Sequence, residues 1–214
     1  MKITKLGHCC MLVEELGLRI MTDPGAFTLP LHEGVERLDA VLITHEHADH
    51  LHIPSLRVVL KNNPSAQVIC NPSVGALLET EGIVHTVVGD GQLVEVKGVE
   101  IRGFGTAHAR VHTSIPAAQN TGYFIGTRFW YPGDAFHMPE RHPEIVALPT
   151  AGPWMKLSEA IDYALVLKPR TVFPVHDGII NSIGHDINKR IAGGMLEAQG
   201  IAYVEFDLNK EYDI

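Results

Sequence analysis

The segment Ala40-Val41-Leu42-Ile43-Thr44-His45-Glu46-His47-Ala48-Asp49-His50 constrains the fold of this chain more than any other. Its first four residues are apolar without interruption, which reads as a strand buried on both faces. Beyond them come three imidazoles and a carboxylate in the pattern His-x-His-x-Asp-His. A strand ending in that set delivers all four groups together to one edge of a sheet. Imidazole nitrogen and carboxylate oxygen suit zinc and similar divalent ions, and the absence of a neighbouring Cys disfavours an all-thiolate structural site. The run is more specific than a lone pair of His, and it directs attention to further ligands downstream.

A chain of 214 residues is most simply one domain, residues 1–214, with room for a substantial core without disulfides. Apolar residues make up 45% and charged residues 20%, the composition of an ordinary soluble globule. A net charge of −8, with no run of Lys or Arg, argues against nucleic acid or an anionic membrane surface as the main partner. The three Cys (Cys9, Cys10 and Cys70) cannot pair completely, and vicinal residues of one strand point to opposite faces. No disulfide framework is expected, and a reducing cytoplasm is the expected location. Met1-Lys2-Ile3-Thr4 does not open a signal peptide, and no window approaches the ~20 apolar residues that span a bilayer.

The first half reads as short strands punctuated by glycine: Ile3 to Leu6, Cys10 to Glu14, Leu18 to Met21 and Ala40 to Thr44. Pro54 suits the first turn of a helix running to about Lys61, where Asn62, Asn63 and Pro64 stop it. Gln67 to Cys70 reads as a strand and Pro72 to Glu81 as a helix. Strands follow at Val84 to Val88, Leu93 to Val96 and Val99 to Phe104, then a hairpin of Gly122 to Ile125 with Arg128 to Tyr131. Helical spacing of apolar residues marks Ser158 to Leu167 and Ile187 to Gln199, with strands at Thr171 to Val175 and Ala202 to Phe206. Strand-rich halves each followed by helices predict an α/β fold in which two packed sheets carry helices on their outer faces.

Three more positions place a ligand just beyond an apolar strand. His108 follows Val99 to Phe104, Asp134 follows Phe129-Trp130-Tyr131-Pro132-Gly133, and His176 follows Val172-Phe173-Pro174-Val175. Loops at the edge of a rigid sheet are where catalytic groups are commonly mounted.

With these residues in place, the chain resembles the metallo-β-lactamase-fold superfamily over most of its length. Leu6-Gly7-His8 with Thr22-Asp23-Pro24, Gly152-Pro153 before a helix, and Lys168-Pro169-Arg170 before the His176 strand resemble the ascorbate-phosphate lactonase-like branch. That branch is itself similar to N-acyl-phosphatidylethanolamine phospholipase D. The resemblance implies a four-layer αββα sandwich and two divalent ions, zinc or manganese. It implies that His45, His47 and His108 hold one ion, that Asp49, His50 and His176 hold the other, and that Asp134 bridges them. Asp49 and His176 would serve catalysis as well as ligation. Asp23 and His8 would stand behind the ligands, Asp23 by accepting a hydrogen bond from a ligating His. His112, in the same loop as His108, is the alternative ligand; His108 lies nearer the strand end. Related diiron proteins that reduce oxygen or nitric oxide generally carry an acidic residue where His47 stands, so His there favours a hydrolytic centre.

The chemistry follows from charge. Two divalent ions contribute +4, two carboxylates −2 and a bridging hydroxide −1, which leaves a core of roughly +1 that attracts substrate oxygens. Coordination lowers the pKa of water towards ~7, so hydroxide is available at neutral pH to attack an ester, lactone, amide or phosphoester. The expected function is hydrolysis of a small anionic substrate, with a phosphodiesterase or nuclease of the same fold, or a silent metal-binding scaffold, as alternatives. The lactonase-like relatives assemble into oligomers, so the resemblance makes a homo-oligomer a candidate state, which the sequence itself leaves open. His137, His142, His185 and Asp186 are candidate acid or substrate contacts, and Arg110, Arg128 and Lys156 candidate anion contacts. Trp130 and Trp154 read as core or pocket wall.

Overall fold

The computed structural model describes residues 1–214. The first sheet is built from β1 (Lys2–Gly7), β2 (Cys10–Glu15), β3 (Leu18–Thr22), β4 (Ala40–Ile43), β5 (Gln67–Cys70) and β6 (Thr86–Val87) in that spatial order. The second holds β7 (Leu93–Val96), β8 (Val99–Phe104), β9 (Gly122–Ile125), β10 (Phe129–Tyr131), β11 (Ile145–Pro149), β12 (Thr171–Val175) and β13 (Ala202–Tyr203), again ordered as in the chain. A last strand, β14 (Glu211–Asp213), returns to the first sheet and pairs antiparallel with β1. Each sheet begins with antiparallel hairpins and ends in parallel pairs, β3 to β6 in one and β10 to β13 in the other.

Side-chain alternation along the strands sorts the apolar residues into three layers. Ala40 and Leu42 of β4 point between the sheets, where they meet Tyr131, Ala147 and Phe173 of the second sheet. Val41 and Ile43 point outward, under α1 (Ile53–Asn62) and α2 (Pro72–Thr80), and pack with Leu56, Val59, Val74 and Leu78. On the far side, Val146, Leu148 and Val172 pack beneath α3 (Leu157–Leu167) and beneath Ala192 and Leu196 of a helical run. The result is the αββα sandwich of the metallo-β-lactamase fold. No helix is long and apolar enough to cross a membrane.

The helices start where local chemistry allows. Pro54 sits in the first turn of α1, and the Asn71 side chain accepts the Val74 amide at 2.9 Å to cap α2. The Glu159 carboxylate accepts the Lys156 amide at 2.6 Å at the start of α3, and Lys168 closes that helix in the left-handed region.

Most elements lie where the sequence puts them, with a few differences. β11 is a strand that the sequence pattern alone does not assign. Its apolar run is short and ends at Pro149, and only parallel pairing with β10 and β12 defines it. The helix expected from Ile187 begins at Ser182 instead, because Asn181 caps it by accepting the Gly184 amide at 3.1 Å. It runs as α4 (Ser182–Asn188), a π-helical stretch at Lys189–Gly193 and α5 (Gly194–Glu197). The strand expected over Val84 to Val88 keeps only Thr86–Val87, at the edge of its sheet.

Candidate metal centre

All seven candidate ligands emerge from the same end of the sandwich. His45, His47, Asp49 and His50 leave the C-terminal end of β4, and His108, Asp134 and His176 follow β8, β10 and β12. Two four-membered groups of ligand atoms result, His45, His47, His108 and Asp134, and His8, Asp49, His50 and His176, with a third, Cys9, His50 and Asp134, overlapping them; in each the members lie within 4.8 Å of one another. Asp134 lies between the groups. Its Oδ1 is 3.2 Å from Nε2 of His50, and its Oδ2 is 2.8 Å from Nε2 of His176 and 3.3 Å from Nε2 of His108. Nε2 of His45 faces Nδ1 of His47 at 3.1 Å. The structure brings His108 to this centre, whereas His112 is exposed and bonded to Ser114 in the loop.

The other nitrogen of each buried ring is already committed, which fixes the tautomer that points inward. His50 Nδ1 donates to Asp23 at 2.7 Å, and His176 Nδ1 donates to the Ala151 carbonyl at 2.7 Å. His108 Nδ1 donates to the Ala109 carbonyl. The Thr44 hydroxyl gives its proton to Asp23 at 2.7 Å, so it accepts from Nδ1 of His45 at 3.0 Å. Asp23 also accepts the Thr44 amide at 2.8 Å and the Tyr131 hydroxyl. With these bonds made, Nε2 of His50, His108 and His176 and Oδ1 of Asp134 remain buried with no hydrogen-bond partner. Orphaned buried nitrogens and oxygen converging on one space are costly unless a cation satisfies them. The donor set therefore fits divalent metal.

His8 differs from the ligands around it. Its Nδ1 accepts the Gly178 amide at 3.3 Å, which leaves Nε2–H to donate to Asp49 at 3.2 Å. It holds Asp49 from behind and offers no lone pair to the centre. The Trp154 indole donates to Oδ2 of Asp134 at 2.9 Å, a contact that sequence reading did not find because a Trp in an apolar stretch gives no sign of its donor's target.

Electrostatics match this wiring. Burial, then the neighbouring His50, holds His45 well below the usual imidazole range, and burial and His108 lower His47. Burial also lowers His8 against the opposing bond to Asp49. Burial works against protonating His176, yet the Asp134 and Asp49 carboxylates outweigh it and push its pKa up to about 9. For Asp134 burial favours the neutral acid, but His50, His108 and His176 hold it well below the carboxylate range.

Close backbone approaches set the geometry. A β-carbon on Gly25 would lie 1.8 Å from the Asp49 carbonyl oxygen, so only glycine lets the segment after β3 pass under the ligand loop. Gly133 takes φ +65° immediately before Asp134, and a β-carbon there would meet Oδ1 of Asn120 at 2.3 Å. That same oxygen accepts the Asp134 amide at 3.0 Å.

The remaining candidates lie apart from the centre. His137 Nε2 bonds the Ala107 carbonyl at 2.7 Å, His142 reaches only the Leu167 carbonyl at 3.4 Å, and His185 and Asp186 lie on α4. Arg128 precedes β10, at the end of that strand opposite Asp134, and donates to the Ile214 carbonyl. It is structural and not an anion contact at this centre. Arg110 and Lys156 are exposed.

A family model described as the β-lactamase superfamily domain matches residues 2–176, which include every candidate ligand. The chain belongs to that superfamily. Protein Rv0786c of Mycobacterium tuberculosis is 37% identical over 84% of this chain and 85% of its own length. A metal-dependent hydrolase of Methanocaldococcus jannaschii is 24% identical over 94% of this chain and 95% of its own. Among solved structures, Igni18, a metallo hydrolase from the hyperthermophilic archaeon Ignicoccus hospitalis, superposes with a TM-score of 0.76 at 19% identity, covering 100% of this chain and 98% of that one.

Proposed function

We propose that this β-lactamase superfamily member is a metal-dependent hydrolase with two divalent ions, acting on an ester, lactone or phosphoester bond of a small anionic substrate. The observation that carries the reading is the convergence of Nε2 of His50, His108 and His176 with Oδ1 of Asp134, all buried and unpartnered. The names of the relatives from M. jannaschii and I. hospitalis agree with it.

His45, His47 and His108 would hold one ion, Asp49, His50 and His176 the other, with Asp134 between them. Ions bound there supply Lewis acidity for a substrate oxygen and a water that ionises near neutral pH. The protein's own part is to fix the donors. Asp23 and Thr44 orient His50 and His45, Ala151 and Ala109 carbonyls orient His176 and His108, His8 steadies Asp49 and Trp154 steadies Asp134. Because Asp134 and Asp49 are held ionised, two carboxylates face the ions and leave the site net positive towards anions. Zinc suits a donor set dominated by imidazole, and manganese suits its carboxylates. The three Cys are free and buried, which fits a cytoplasmic location.

The test is metal content and turnover together. Reconstituted protein should hold two equivalents of zinc or manganese by mass spectrometry and should hydrolyse at least one of a panel of chromogenic esters, lactones and bis(p-nitrophenyl) phosphate. His47→Ala, at an exposed position, should stay folded and lose that activity. Wild-type rates from His47→Ala would refute the site assignment.

A further inference from the structure

Lys5 and Asp177 form an ion pair inside the sandwich, and each is only 4% exposed. The Lys5 ammonium donates to both Asp177 carboxylate oxygens, at 2.7 and 2.6 Å, and to the Pro174 carbonyl at 2.8 Å. All three of its hydrogens are thereby spent. Lys5 belongs to β1 in the first sheet, whereas Pro174 lies in β12 of the second and Asp177 just beyond it. Between the two anchored residues sits His176. One side chain of the first sheet thus clamps the chain on either side of a candidate ligand of the second.

His176 needs such a clamp. Its φ is +58°, in the left-handed region that disfavours a residue with a β-carbon. The conformation turns its ring from the strand direction into the centre. Its amide donates to the His8 carbonyl at 3.2 Å, so the residue just after β1 holds the same turn at a second point. A disfavoured backbone persists where its surroundings over-determine it, and such places gather at functional sites.

Stability alone does not explain the pair. Two charges taken out of water lose hydration that their attraction only partly returns, and apolar pairs of similar volume often serve a core equally well. Nor does Lys5 face the ligand atoms, because its donors all point at Pro174 and Asp177. The geometry points to Lys5 as a positioning residue for His176, acting through Asp177. The inference rests on the reading that His176 holds one of two ions.

The decisive comparison is between Lys5→Met and Lys5→Met/Asp177→Leu, with metal affinity measured by chelator competition and stability by thermal melting of the metal-free protein. Lys5→Met should melt earlier, because it leaves the buried Asp177 with only the His185 ring, 3.7 Å from its Oδ2, in place of the ammonium. The double variant should recover the wild-type melting temperature. Both should nevertheless bind one ion roughly 10–100-fold more weakly, the usual effect of losing an outer contact to a ligand, while the other ion keeps its affinity. If Lys5→Met does not fold, Asp177→Asn, which keeps the shape and removes the charge, should weaken the same ion. A double variant with both affinities at the wild-type value would overturn the positioning role alone. Wild-type protein that binds fewer than two ions would instead overturn the dinuclear reading beneath it.

Discussion

Asp23 accepts the Nδ1 proton of His50 across 2.7 Å, with both side chains completely enclosed. Asp23 is the hub of the wiring behind the centre, since Thr44 and Tyr131 donate to it as well. Asp23→Asn places an amide where at least one donor must lose its acceptor. Metal affinity at the His50 position should fall roughly 10–100-fold. Chelator competition on the folded variant measures this, and an unchanged affinity would show that Asp23 is only structural.

Trp154→Phe removes one donor from Asp134 and keeps most of the aromatic contact. A hydrogen bond to a charged group is worth about 1.5–3 kcal/mol, so kcat/KM should drop roughly tenfold or more. The loss should appear in kcat, with metal content equal to that of the wild type. Steady-state kinetics beside metal analysis would separate this from simple loss of the ion.

Gly25→Ala drives a methyl group into the Asp49 backbone. The overlap is with main chain, which cannot rotate away, so the ligand loop must shift. Overpacking of this kind costs about 1–3 kcal/mol or more. A melting temperature lowered by several degrees, with weaker metal binding, is the expected result. A variant that melts and binds like wild type would mean that the loop yields without consequence.

Without metal, stability should depend on pH in a particular sense. The carboxylates raise His176 to about 9 and His50 well above its ordinary value, burial notwithstanding. A group protonated more readily when folded stabilises the fold fully below its unfolded pKa of ~6.5 and loses that contribution as pH rises through the folded value. For His176 the span to about 9 corresponds to roughly 3 kcal/mol. His45, His47 and His8 are lowered, chiefly by burial, and act oppositely, destabilising the fold as pH falls below ~6.5. Chelator-treated protein should therefore melt highest near pH 6.5 and progressively lower towards pH 9. Metal-saturated protein should lose that alkaline decline, because the ions take the place of the protons. Equal slopes with and without chelator would contradict this account.

The sheets and the centre were legible in the sequence to different depths. Ala40 to Ile43 announced itself because a strand buried on both faces is apolar at every position, and the His run behind it needed no tertiary context. β11 carries the same kind of run, but the Pro149-Thr150-Ala151-Gly152-Pro153 stretch after it reads as loop, and no ligand follows it to mark a strand end. β14 has no apolar signature, because its alternating polar residues lie on an edge. Asp23 was reached by resemblance. Trp154 as a donor, and Lys5 with Asp177, were not read at all. A contact between residues 5 and 177 leaves no local pattern, and a lone Lys in an amphipathic strand looks like any solvated side chain.

The candidate ligands are divided between the sheets, and this division governs the order of events as the chain matures. The first sheet supplies His45, His47, Asp49 and His50, but neither ligand group closes without His108, Asp134 or His176 from the second. A growing chain that has made only its N-terminal half carries an open set, and the last donor arrives with β12. Tight capture of metal therefore waits until both sheets have met. The complete donor set exists only in a molecule whose two sheets have come together.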